Sequence, residues 1–419
     1  MIYLLIVITI LIVIINKFIF KRYATAYSVI MIPYAVIAIF NNFYVTRYGF
    51  YAITEKTLFM IIVGSISFFM GSIILHSLYG KIHTGRISKS EINTINIRKA
   101  ANYVSAILLI RIINLLYIFG THSLNAIIAN DFSLLIARGL MGHLMISAFP
   151  FVPLIFYNWL QDKSEKKYLI ITITFFILAF IETEKAQVLT ITIAVFLYCI
   201  LRNEKYLAIG TVLLVVLVIV FFISNYAIKF VLQGFFDRVD TTYYWYRFWN
   251  YIAGGVINSR IVTDIAMDIP INAFHYVLDV LLSIPNLFLL GLANITIGPD
   301  VRLAIPYIKD FVSVTNYTTG AAAQRGNVIS TMAFIYGNGN LFAFIPVMML
   351  WGMISEYFFG KMLRSKKDAN ILLCCCYMSF SFISFFGSYY TAASFTERLI
   401  YCSVLSFIFS KKVRFVIRR

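Results

Sequence analysis

Charge is scarce in this chain. Asp, Glu, Lys and Arg make up 13% of its 419 residues, whereas apolar types make up 61%. A water-soluble domain of this length could not bury so much apolar surface, so globular classes are excluded and lipid is the expected solvent. Metal and nucleotide signatures are missing too. His76, His83, His122, His143 and His275 are dispersed, and the sequence has no His-x-x-x-His pair, no Asp-x-Asp pair and no Gly-x-x-x-x-Gly-Lys loop. No cofactor or metal is therefore expected, and any driving energy arrives with the substrate, which argues against an ATP-driven pump. All five cysteines (Cys199, Cys374, Cys375, Cys376 and Cys402) fall inside apolar runs and read as packing residues rather than disulfides. The first apolar run has no basic residue before it and no cleavage site after it. Lys17, Lys21 and Arg22 follow instead, so it reads as a span, not a leader.

What is present is a succession of membrane-length apolar runs. Spans are predicted near 2–16, 26–44, 57–79, 101–119, 142–160, 168–182, 186–201, 207–224, 341–360, 369–387 and 396–410. Crossing a hydrocarbon core of about 30 Å takes about 20 apolar residues, and lipid obliges their backbones to be helical. The expected fold class is an all-α polytopic membrane protein of about eleven transmembrane helices, with ten to twelve compatible and one large external loop containing short helices. Three consecutive parts follow: residues 1–224 with about eight spans, a loop at 225–325, and 326–419 with about three spans. His275–Leu292 is apolar enough to re-enter the membrane or lie along it, and Pro285 disfavours an uninterrupted crossing. Leu124–Leu140 has the same option. No inverted internal repeat of the transporter kind is visible.

A formal charge of +17 invites a nucleic-acid reading, but its distribution argues otherwise. Alternate short links hold Lys17, Lys21 and Arg22; Lys81, Arg86, Lys89, Arg98 and Lys99; Lys163, Lys166 and Lys167; Arg202 and Lys205; and Lys361, Arg364, Lys366 and Lys367. The tail adds Lys411, Lys412, Arg414, Arg418 and Arg419. Together these are 22 of the 35 basic residues. By the positive-inside rule they are cytoplasmic, which puts the N-terminus outside, the C-terminus in the cytoplasm and Asn225–Arg325 on the external face. No nucleic-acid partner is needed.

In that external segment seven cations (Lys229, Arg238, Arg247, Arg260, Arg302, Lys309 and Arg325) meet seven aspartates (Asp237, Asp240, Asp264, Asp268, Asp279, Asp300 and Asp310). The balance argues for a site holding a specific anion rather than for a polybasic lipid tether. Arginine suits a phosphate or diphosphate through its planar bidentate fork. Arg247, Arg260, Arg302 and Arg325 are the candidates, with ion pairs such as Arg260–Asp264 or Arg302–Asp300 as the competing reading. Tyr243, Tyr244, Trp245, Tyr246, Phe248 and Trp249 form either an interfacial aromatic belt or a floor on which apolar sugar faces stack. At the span ends stand Glu182, Glu184 and Lys185, then Glu397 and Arg398, while Arg111 lies inside the fourth span. Ionisable residues in a membrane are functional candidates by default. The alternatives are snorkelling for Lys185 and Arg398 and a helix–helix pair for Arg111.

The stretch RGNVISTMAFIYGNGNLFAFIPVMMLWGMISEYFFG, Arg325–Gly360, places a loop-borne helix and Tyr336-Gly337-Asn338-Gly339-Asn340 before a span with a midway glycine. It resembles the C-terminal region of Wzy-type oligosaccharide repeat-unit polymerases. Tyr251-Ile252-Ala253-Gly254-Gly255, Glu184-Lys185 before a span, and Arg398 opening a late span extend the likeness, although Lys185 stands where arginine is expected. The plan of ten to twelve spans with one large external loop agrees as well. The resemblance implies a multi-pass enzyme of the bacterial inner membrane, in O-antigen or capsule synthesis. Such an enzyme transfers a growing chain from undecaprenyl diphosphate to a hydroxyl of the next lipid-linked unit. A chain-length regulator is a further partner it leaves open. In that reading Arg247, Arg260, Arg325 and Arg398 stabilise the departing diphosphate, and Asp237, Asp240, His275 and Glu397 are candidates for the base. Lys185, Tyr243, Tyr244, Trp245, Tyr246, Trp249, Tyr336 and Asn338 contact substrate. An O-antigen ligase and a lipid-linked oligosaccharide flippase are the rival readings.

Overall fold

The computed structural model describes residues 1–21, 25–82, 95–121, 140–181, 185–206, 220, 241–264, 273–293, 312–314, 325–326, 329–337, 339–365, 367–388, 390 and 392–410. In chain order its helices are α1 (Ile2–Phe20), α2 (Ala26–Phe43), α3 (Glu55–Ile82), α4 (Ile97–Thr121), α5 (Leu140–Ala148), α6 (Val152–Gln161), α7 (Lys166–Ile181) and α8 (Lys185–Arg202). There follow α9 (Thr241–Ile257), α10 (Arg260–Thr263), α11 (Ala273–Ala293), α12 (Thr331–Tyr336), α13 (Leu341–Ser365), α14 (Asp368–Phe382) and α15 (Ala393–Phe409). Two-residue strands β1 (Val312–Ser313) and β2 (Arg325–Gly326) pair antiparallel, Val312 opposite Gly326.

Among the described residues seven helical stretches are long and apolar enough to cross a membrane: Ile2–Phe20, Ala26–Phe43, Glu55–Leu78, Ile97–Thr121, Leu140–Gln161, Leu341–Met362 and Asp368–Phe385. By length and composition the chain is therefore a multi-pass membrane protein of α-helical class. The runs expected at 168–182, 186–201 and 396–410 are helical as α7, α8 and α15, of 16, 18 and 17 residues. The run at 207–224 lies outside the described residues apart from Val220. Local sequence explains the punctuation. Pro150 and Pro153 divide the fifth crossing into α5, a 3-10 turn at Phe149–Phe151, and α6. The Thr25 side chain caps α2 by accepting from Ser28 N, and Ser330 caps α12 by accepting from Ala333 N.

The helices gather into two compact units, each made of segments that are separated along the chain. The first comprises Met1–Arg86, Val239–Gly360 and Phe380–Thr396. In it α3 and α13 cross in close contact, with Gly71 on the Met349 carbonyl and Gly352 on the Phe68 carbonyl. α9 lies against α2, and α12 lies against α3, where Met332 faces Gly64. After α14 a 3-10 turn at Ile383–Phe385 ends the helix, and two carbonyls there take side-chain donors. Tyr34 Oη donates to Ser384 O (2.7 Å), and Thr331 Oγ1 donates to Gly387 O (3.2 Å). The Tyr276 and Ser388 hydroxyls meet at 2.7 Å. Such protein partners are the condition for a broken helix at membrane depth.

The second unit comprises Ile87–Arg238, Lys361–Ser379 and Glu397–Arg419. At one of its ends Asp368 pairs with Arg202 and accepts from Tyr198 Oη (3.1 Å) and Ile95 N (3.3 Å), while Asn96 N donates to Phe409 O (2.9 Å). These residues all flank the basic links, as alternating spans require. All five cysteines are free and buried.

Candidate functional site

The sequence candidates divide between the two units. In the first, the aromatic run forms the start of α9 and turns its indoles toward α2. Trp249 is buried, 4.9 Å from Phe40 by ring centroids, and its Nε1 donates to Asn41 Oδ1 (3.4 Å). That leaves Trp249 to packing. Trp245 stacks on Trp249 at 6.0 Å and meets Tyr48 at 5.9 Å. Its Nε1 is buried with no hydrogen-bond partner among the described residues, a donor available to a hydroxyl. Tyr246 stacks on Phe50 (5.7 Å), and Arg247 beside it is half-buried. The Tyr44 hydroxyl, 2.9 Å from Tyr48, raises the Tyr48 phenol above its ordinary value.

Arg260 on α10 sets its guanidinium 3.8 Å from the centroid of Tyr51, a cation–π stack. Asp264, its expected counter-ion, accepts from Thr54 Oγ1 (2.6 Å) and Thr263 Oγ1 (3.1 Å). Tyr51 N donates to Val314 O (3.0 Å), and β2 packs on α9. The backbone of Arg325 thus comes to the same end of the unit as Arg260. His275 is half-buried on α11, and Tyr336 meets Phe344 edge-on at 5.3 Å, its phenol raised by burial.

The second unit holds the other cluster. Glu397 and Arg398 open α15, both buried. Arg398 lays its guanidinium over Phe149 (3.8 Å to the centroid) and donates to Thr190 Oγ1 (3.2 Å). Glu397 Oε2 lies 2.9 Å from His143 Nδ1, and the His143 side chain stays 41% exposed while the carboxylate is 8% exposed. A buried carboxylate that fixes a half-open imidazole is an arrangement for moving a proton. Arg111 is buried in α4 and donates to Asn114 Oδ1 (2.9 Å).

His143 was not among the residues singled out for chemistry. A signal existed: it opens the fifth predicted span as Glu397 opens the eleventh, and odd-numbered spans run in the same direction. Asp237, Asp240, Asn338, Glu182, Glu184 and Arg302 lie outside the described residues, as do the side chains of Lys185, Tyr243, Tyr244 and Arg325.

Fold and clusters together define a class: a multi-pass helical membrane protein carrying ionisable side chains at the ends of its helices. No family model, curated protein or solved structure matches the chain.

Proposed function

We propose that this chain is a Wzy-type polymerase joining undecaprenyl-diphosphate-linked oligosaccharide units at the external face of a bacterial inner membrane. The observation that carries the reading is the His143–Glu397 pair beside buried Arg398, set among largely apolar helices. Ionisable groups are costly in such surroundings and are retained for function by default.

In the proposed reaction a hydroxyl of the acceptor sugar attacks the anomeric carbon of the donor chain. A glycosidic C–O bond forms, and the C–O bond to the diphosphate breaks. His143 takes the hydroxyl proton, oriented by Glu397. Arg398 offers positive charge to the departing diphosphate. The arginines and aromatics of the first unit, Arg247 and Arg260 with Trp245 and Tyr246, have the chemistry to bind diphosphate and sugar.

Deleting the gene in its native host and running surface glycan on a gel tests this. Loss of the ladder, with single repeat units still on the lipid A core, is the expected outcome. Loss of all core-attached glycan would assign the chain to ligation or flipping. Arg398→Ala at normal expression is expected to abolish the ladder, and a full-length ladder from it would refute the proposed diphosphate contact.

A further inference from the structure

At the end of the second unit opposite the His143 cluster, the first turns of α4 and α7 enclose a cleft of 310 Å³. Arg98 and Lys167 line it at the mouth, Asn102 and Ser105 stand one and two turns deeper on α4, and Tyr168 and Ile170 form the α7 wall. Tyr168 is buried, and the Lys167 ammonium rests 4.9 Å from its ring centroid. Above the cleft both helices present apolar side chains outward. Leu109, Ile113 and Leu116 on α4 are 58%, 59% and 66% exposed, and Ile170, Ile173 and Ile177 on α7 are 63%, 48% and 53% exposed. Two cations, two polar side chains and an apolar track leading away match a phospholipid part by part.

We propose that this cleft holds the phosphate of an anionic phospholipid, with its acyl chains along the outward faces of α4 and α7. A soluble phosphate would use the cations and leave the apolar track without a role, so the track decides between the two sources. Backbone donors at the start of α4 do not contribute, because Arg98 N and Lys99 N already donate to Asn96 Oδ1 (3.1 and 3.3 Å). The two converging helix N-termini add partial positive charge. Lys167 does contact Glu165 (2.8 Å), but the ammonium is solvent-exposed and the carboxylate only half-buried, and such pairs exchange readily. Basic pockets between membrane helices are the usual form of head-group sites. This site is independent of the polymerase reading and stands or falls separately.

The test uses the full-length purified protein in detergent with equal amounts of phosphatidylglycerol and phosphatidylcholine, reading retained lipid by native mass spectrometry. Wild type is expected to retain phosphatidylglycerol preferentially. Arg98→Gln with Lys167→Gln is expected to weaken retention about twenty-five-fold, from about fivefold per cation. A charge-matched control, Lys163→Gln with Lys166→Gln, alters exposed residues outside the lining and is expected to keep it. Ser105→Phe fills the cleft without removing charge and is expected to lose it. No preference in the wild type, equal loss in both double variants, or unaffected Ser105→Phe overturns the proposal. Displacement of the lipid by millimolar inorganic phosphate overturns it too, because the site would then be one for a free anion.

Discussion

The crossing of α3 with α13 offers the sharpest test of the packing. A β-carbon at Gly71 would overlap the Met349 carbonyl, and one at Gly352 would overlap the Phe68 carbonyl, both far inside the 3.0 Å that real β-carbons keep. The two contacts are reciprocal, each glycine lying under a carbonyl of the other helix. An alanine at either position forces the helices apart by about 1 Å before it fits. Lipid provides no hydrophobic drive between helices, so this interface rests on close contact and on weak Cα–H···O bonds. A radial gap of that size forfeits a quarter to a half of each dispersion well. Phe68, Phe344, Met348 and Trp351 are buried and share the loss, with Phe68 and Trp351 at 5.5 Å. The expected cost is about 2 kcal/mol for either Gly71→Ala or Gly352→Ala. The double variant is expected to cost little more than one single, because one separation relieves both overlaps. Gly120 serves as control. A β-carbon there meets nothing within 4 Å, so Gly120→Ala is expected to be neutral or slightly stabilising. Denaturant titration in mixed micelles measures all four variants. Additive losses, or singles indistinguishable from wild type, would refute the reciprocal contact.

The proposed proton-handling pair makes a second prediction. His143→Gln is expected to slow transfer between lipid-linked units by a factor on the order of 10² to 10⁴ at unchanged expression, with Glu397→Gln slowing it similarly; a wild-type rate from His143→Gln removes it as the base. At the opposite end of that unit, Asp368→Asn is expected to cost about 3 kcal/mol in thermal or denaturant unfolding. A double-mutant cycle with Arg202→Met should then show coupling, and simple additivity would deny the pair. Cysteines placed singly at Gly49, Asp264 and Ala293 in a background lacking the native five are expected to react with an impermeant maleimide from one side, and cysteines at Lys99 and Asp162 from the other. Labelling of the Ala293 position on the opposite side from Asp264 would mean that α11 crosses.

Much of the helical plan was legible because lipid imposes it. An apolar run of 18 or more residues has no structure open to it but a helix, so the bounds of α1, α2 and α4 follow from composition. The basic links likewise anticipated which helix ends meet. The partners of particular side chains were not legible. Trp249 reads in sequence like any interfacial aromatic, and only the approach of Phe40 and Asn41 makes it a packing residue. Arg260 and Asp264 have helical i, i+4 spacing, which suggests a pair, yet Tyr51 and Thr54 from a distant link take up the two groups. His143 stayed hidden because its meaning depends on Glu397, 254 residues away. Local periodicity carries no information about such a pair.

The status of α11 follows from contacts within each unit and the parity of crossings. Thr54, one residue before α3, hydrogen-bonds Asp264, so residue 264 stands at the end from which α3 departs. α3 and α13 run parallel, since Gly64 faces Phe344 while Phe68 and Gly71 face Gly352 and Met349. Leu341 therefore starts at that same end. Between 264 and 341 the chain must return to the side it left. α11 is the one long apolar stretch there, and the rest carries Asp300, Arg302, Lys309, Asp310 and Arg325, too much charge for a second crossing. A helix of 21 residues with an internal proline that dips in and returns, or lies along the bilayer, meets the constraint; a lone crossing does not.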